Sequence, residues 1–207
     1  MTSTKMTSAP RRSNHLARII TEVFAPSPLA AVVLIVVAWR YSPTTSAALK
    51  WSLLGILFAP VVPLLYLLRQ LRRGKVTDHH VRRREQRAGI ILFTLACGFA
   101  ALVVLLKLGA PSQIIGLICA GAAGLIIALA ITRYWKISIH TGVTAGIVVV
   151  FLELFGWWML LLVPLVALVG WARVAVDDHT PAQVTVGAVV GAVVSGITFA
   201  LVIAALR

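Results

Sequence analysis

PSQIIGLICAGAAGLIIALAIT, residues 111–132, carries no charged side chain over a length that matches the hydrocarbon core of a bilayer. A crossing helix needs about 20 mostly apolar residues. Backbone polar groups in hydrocarbon must be satisfied within the chain, so this stretch reads as a membrane-spanning helix. The same texture recurs on both sides of it. Apolar runs occupy 26–41, 47–69, 88–107, 139–155, 157–172 and 184–206. Hydrophobic residues make up 60% of the chain and charged residues 12%, and the mean hydropathy of +0.98 lies far outside ordinary soluble usage. The expected fold is all-α, a polytopic transmembrane bundle of about 6–7 spans. Seven is the reading taken; six with one re-entrant segment is the alternative, because the fifth and sixth runs are short and separated only by the region of Gly156.

The organisation expected is a polar, basic tail over residues 1–25 and a single transmembrane domain over 26–207, since no linker composition divides the chain. The tail lacks the short apolar core and small-residue cleavage site of a secretory signal. From His15 to Phe24, Leu16, Ile19, Ile20 and Phe24 recur at helical spacing beside Arg18, as in a short helix lying along the membrane interface. The formal net charge of +13 is confined to the tail and the loops flanking apolar runs. That distribution suits anionic head groups and argues against nucleic acid as a partner. Cys97 and Cys119 both fall inside apolar runs without the spacing of a metal site or a disulfide framework, and neither a metal nor a cofactor is expected.

With seven spans, one membrane side receives the tail arginines, the cluster from Arg69 to Arg87, Arg133, Lys136 and Arg173, and the other only Arg40, Lys50, Lys107 and Arg207. The basic side is expected to face the cytoplasm, with the amino terminus on it and the cell membrane as the location. Pro60, Pro63 and Pro164 predict kinks within spans. Gly187, Gly191 and Ser195 form a small-residue ridge on the last span, which lets another helix approach closely. Packing inside the bundle is the expected use and homodimerisation the alternative. Gly116, Gly121 and Gly124 lend the fourth span a similar character.

Three polar gaps follow an even number of spans and so share a membrane face. The first reads GKVTDHHVRRREQR, from Gly74 to Arg87, and taken singly it is a basic anchor. The second, KISIHTG, puts Ser138 and His140 at the start of a helix, where free backbone amides favour an anion. The third, WARVAVDDHTPAQVTVG, puts Arg173 six residues before His179 and Gln183 one helical turn after it. Its plainer reading is a polar connector in which Asp177 and Asp178 pair with nearby arginines.

In order and spacing the three gaps resemble the motifs of the type 2 phosphatidic acid phosphatase superfamily, across residues 75 to 187. Lys75, six residues and Arg82-Arg83 stand for that family's Lys, six residues, Arg-Pro. Ile137-Ser138-Ile139-His140 stands for Pro-Ser-Gly-His. Ala172-Arg173, His179 and Gln183 stand for Ser-Arg, His and Asp. The resemblance implies a metal-independent lipid phosphatase. Lys75, Arg82, Arg173 and Ser138 would bind phosphate, the arginines through forked donors. His179 would attack phosphorus to form a phosphohistidine, His140 would protonate the leaving oxygen, and Gln183 would orient His179. The substrate implied is a lipid phosphate or diphosphate of polyprenyl or phosphatidyl type, with isoprenoids slightly preferred. An amide in place of the orienting Asp can hold an imidazole but adds no charge, and a comparable change in a triad hydrolase lowers kcat by about 10⁴. A lipid-phosphate binder of weak or no activity is therefore the alternative. A small transporter is a weaker one, because Glu153 is the only acidic residue within a proposed span.

Overall fold

The computed structural model describes residues 14–78, 81 and 83–206, and among them every regular element is helical. A short helix α1 (His15–Val23) is capped by Asn14, whose side chain accepts from Ala17 N. Next come α2 (Pro26–Tyr41) and α3 (Thr45–Ile56), then a π-helical turn over Leu57–Val61, then α4 (Val62–Arg72). After a loop follow α5 (Arg84–Lys107), α6 (Ser112–Thr132) and α7 (Ile139–Phe155). A 3₁₀ turn (Trp157–Leu162) leads into α8 (Val163–Ala175), and α9 (Pro181–Ala205) closes the bundle.

Five helical stretches are long and apolar enough to cross a membrane: Thr45–Arg72, Glu85–Lys107, Ser112–Thr132, Trp157–Ala175 and Pro181–Ala205. The first expected span, 26–41, reaches that length only together with α1, from which it is bent by 43°. The bend follows from Pro26, which disfavours helical backbone at the preceding residue; Ala25 is extended at φ −66°, ψ 154°. The fifth, α7, is 17 residues long. It tolerates that shortness because it lies among other helices, with His140, Thr141, Thr144, Ala145 and Val150 buried. Length and composition therefore give five crossings, or six with the bent pair, against the seven runs counted from hydropathy.

The three prolines expected within spans each fall at a change of helix type. Pro60 sits inside the π turn, where a widened helix accommodates the missing donor. Pro63 and Pro164 follow directly on the π and 3₁₀ turns, in the opening turns of α4 and α8 within the continuous stretches Thr45–Arg72 and Trp157–Ala175. Helix α1 packs Ala17 and Ile20 on Ala172 of α8 and leaves Leu16, Ile19 and Val23 exposed, an apolar strip suited to the membrane interface. The tail before Asn14 lies outside the described residues. Exposed Trp39, Trp157 and Trp158 mark one end of the bundle, and Tyr134, Trp135 and Trp171 the other, as aromatic side chains do at the two interfaces.

The small-residue ridge of α9 is used inside the bundle. A Cβ on Gly187 would come within 2.5 Å of Ser138 O, and one on Gly191 would overlap Gly142 O. Across the same seam, a Cβ on Gly142 would lie 3.1 Å from Gly187 O, and Gly146 faces Ser195. Backbone thus meets backbone between α7 and α9, and the ridge is occupied within the bundle. Gly116 similarly makes room for the Phe199 ring, 2.9 Å from where its Cβ would be. Gly121 and Gly124 differ, because an added Cβ at either would meet nothing within 4 Å.

Candidate functional site

Close packing of α7 on α9 aligns the amino-terminal ends of the two helices. Ser138 caps α7, its Oγ accepting from Thr141 N at 3.4 Å, and its own N–H donates to Gln183 O at 3.3 Å. Thr141 Oγ1 adds a bond to Val184 O at 3.0 Å. His140 follows in the first turn and is buried, with its carbonyl taken by Thr144 Oγ1 at 2.8 Å.

At the other end of the third gap, α8 stops in a paired turn. Asp177 N donates to Val174 O and Asp178 N to Arg173 O, at 3.0 and 3.2 Å, with Asp177 left-handed at φ 58°. His179 N also reaches Arg173 O at 3.2 Å. The chain therefore folds back over its own helix end, and the Asp178 carboxylate meets the Arg173 guanidinium at 2.7 Å with both side chains 1% exposed. The pairing inferred from the plainer reading of this connector is present for Asp178. Lys136 Nζ donates to the Asp178 carbonyl and adds a second cation beside it.

The imidazole of His179 is oriented by a definite set of donors. Thr180 N–H can only donate, and it donates to Gln183 Oε1 at 3.2 Å as half of a capping box at the start of α9. That makes Oε1 the acceptor facing His179 Nδ1 at 3.1 Å, so Nδ1 carries the proton and Nε2 the lone pair. Burial and the neighbouring Arg173, Lys136 and Arg87 press the His179 pKa down to about 3, against a smaller opposing contribution from Gln183. The ring is neutral at physiological pH. The unfolded chain binds a proton near pH 6.5 that the folded chain refuses. Stability is then independent of this group above about 6.5 and falls as pH drops below it, by at most about 1.4 kcal/mol per pH unit. Ring NMR of His179 should show no titration between pH 5 and 8; a midpoint near 6.5 would contradict this environment.

The first gap contributes differently from the expectation. Lys75 is exposed and does not line the cavity described below, and Arg82 lies outside the described residues. Among the described residues of this gap, the basic one that lines the cavity is Arg87, 5% exposed on the first turn of α5. Its Nε donates to Val81 O at 2.9 Å and its Nη1 to Ile137 O at 3.0 Å, which ties the first gap to the second. Val81 is held at φ 48°, a left-handed conformation unfavourable for a β-branched side chain. Gln86 pins the same loop through Thr77 N and Oγ1.

Arg87, Ser138, His140, Arg173 and His179 all line one cavity of about 530 Å³. Three of the expected gap residues thus come together with Ser138, while Gln183 stands behind His179. Reading the sequence missed Arg87 and Lys136 as residues of the site. A signal existed for Arg87: Ile91, Thr94 and Gly98 follow it at helical spacing and line the same cavity, so Arg87 heads an inward stripe. No group of His, Cys, Asp and Glu able to hold a metal occurs among the described residues. Comparison with protein-family models, curated proteins and solved structures returns no match.

Proposed function

We propose that this chain is a membrane lipid phosphatase that removes a terminal phosphate through a phosphohistidine on His179. The observation that carries the reading is the shared cavity, lined by two histidines, two arginines and Ser138 together with mostly apolar side chains. Arg87 and Arg173 would hold the phosphoryl oxygens, Arg87 in the part the sequence motif assigns to Lys75 and Arg82. The Nε2 lone pair of His179 attacks phosphorus, the bond to the lipid oxygen breaks, and that oxygen takes a proton from His140. Water then gives a proton to His140 and attacks phosphorus, the N–P bond breaks, and inorganic phosphate leaves with His179 neutral again. An aligned general acid contributes about 10²–10⁴-fold.

The basic bias of the site-bearing loops supports a cytoplasmic mouth and biosynthetic lipid intermediates as substrates. The test is phosphate release by purified protein in mixed micelles offered phosphatidate, phosphatidylglycerophosphate, and polyprenyl phosphates and diphosphates, with His179→Ala as blank. Release from none of them by folded protein rejects the phosphatase.

A second reading, a lipid-phosphate binder without turnover, is favoured by one observation: an amide faces His179. As the N–P bond forms the ring becomes cationic, and Gln183 offers it no countercharge. Gln183→Glu is isosteric, keeps the capping box and puts a carboxylate oxygen where the amide oxygen sits. It is expected to raise the His179 pKa and increase phosphate release at least about tenfold. Unchanged release together with an unchanged pKa would mean that Gln183 does not control the ring.

Arg87→Met is expected to weaken dodecyl phosphate binding more than about tenfold, since a charge-assisted bond contributes roughly 1.5–3 kcal/mol. Lys75→Ala should change it less than about twofold, because an exposed cation is screened. Equal losses in the two variants would restore Lys75 to the site.

A further inference from the structure

The polar end accounts for only part of the cavity. From it the space continues between α2, α4, α5, α6, α7 and α9, and its lining reaches Val150 on α7 and Leu117 on α6. Val150 stands eleven residues into α7 from Ile139, roughly 17 Å below the polar end at helical rise. The width of this arm comes from missing side chains. Gly121 and Gly124 line it, and so does Gly98 across from them on α5, and a Cβ at each would project into open space. None of these three is required for helix contact, unlike Gly187 or Gly191. The arm starts at Arg87, whose Nε and Nη1 are taken by the Val81 and Ile137 carbonyls.

We propose that this arm holds, inside the bundle, the single hydrocarbon tail of a phosphate monoester whose head group sits at Arg87 and Arg173, with Gly121 and Gly124 setting how much tail is admitted. This rests on the lipid-phosphate reading above and narrows it to one substrate class. An apolar cavity of about 150 Å³ holds one benzene, six heavy atoms. By that measure about 530 Å³ holds roughly twenty-one. Removing five for the phosphate leaves about sixteen carbons, a single isoprenoid or alkyl chain of middle length. Two acyl chains exceed it.

The experiment uses the full chain in mixed micelles with dodecyl phosphate carrying a diazirine at the tail end, photolysed and mapped by mass spectrometry, beside the same probe lacking phosphate. The expected adducts fall on the inward stripes of α5 and α6, around Thr94, Gly98 and Gly121. Gly121→Leu should lower them at least tenfold while butyl phosphate still binds, and Gly89→Leu, on α5 but outside the cavity lining, should leave them unchanged. Gly124→Leu is the second variant, should Gly121→Leu fail to fold. Adducts on the outward faces, at Leu92, Phe99 or Ile126, or a pattern equal to that of the phosphate-free probe, would overturn the proposal. Phosphate release is scored separately. Interior adducts without release leave the tail site standing and remove the phosphatase; release without interior adducts does the reverse.

Discussion

His179→Ala is expected to lower phosphate release by on the order of 10⁴–10⁶-fold, the range seen when the nucleophile or its partner base is removed from a unit that acts together. The expectation follows from the tautomer. Thr180 N–H fixes Gln183 Oε1 as an acceptor, Oε1 fixes the proton on Nδ1, and burial beside cations keeps the ring neutral. A neutral, aimed Nε2 has no substitute among the neighbouring side chains, since Arg173 and Lys136 are cations and Asp178 is engaged with Arg173. His140→Ala should cost less, about 10²–10⁴-fold, because protonation of the leaving oxygen can come from water. The measurement is release of inorganic phosphate together with trapping of an acid-labile phosphoprotein. Full activity in His179→Ala, or a phosphoprotein that persists in it, would remove His179 from the chemistry.

Gly191→Val should have the largest effect on stability. Any Cβ there overlaps the Gly142 carbonyl, and a backbone atom cannot swing aside as a flexible side chain would. Overpacking ordinarily costs about 1–3 kcal/mol and more where nothing can yield, a large part of a total stability of about 5–15 kcal/mol. Relief requires α7 and α9 to separate, and with them the bonds from Ser138 N to Gln183 O and from Thr141 Oγ1 to Val184 O. His140 and His179 then no longer face one cavity, so the variant should lose release along with thermal stability. Gly121→Ala is the contrast: a Cβ added there meets open space and should gain up to about 1 kcal/mol from helix propensity. A Gly191→Val protein with the melting temperature of the parent would refute the seam.

The difference between those two glycines explains which part of the chain could be read directly. Small residues at four-residue intervals announce a close approach, and the ridge Gly187, Gly191, Ser195 makes one. Yet Gly121 and Gly124 repeat the signal and bound empty space, because the same absence of a side chain serves a helix neighbour or a cavity equally well. Loop residues were harder. Arg82 and Lys75 fit a spacing template, but spacing along a loop does not say which basic side chain turns inward. Among the described residues Arg87 does so, because it belongs to the first turn of α5 and shares a face with Ile91.

Local, short-range physics made the helical membrane class legible in residues 111–132 and their neighbours, since uncharged length in hydrocarbon admits few backbone forms. It also marked the helix starts at Ser138 and Thr180 and the candidacy of His140 and His179. Tertiary structure alone decided that α7 meets α9 backbone to backbone, that Arg87 rather than Lys75 reaches the cavity, and that the polar end opens into an apolar arm. Each of these depends on the relative rotation and depth of helices far apart in the chain, and hydrophobic periodicity within one helix carries no information about the face its neighbour presents.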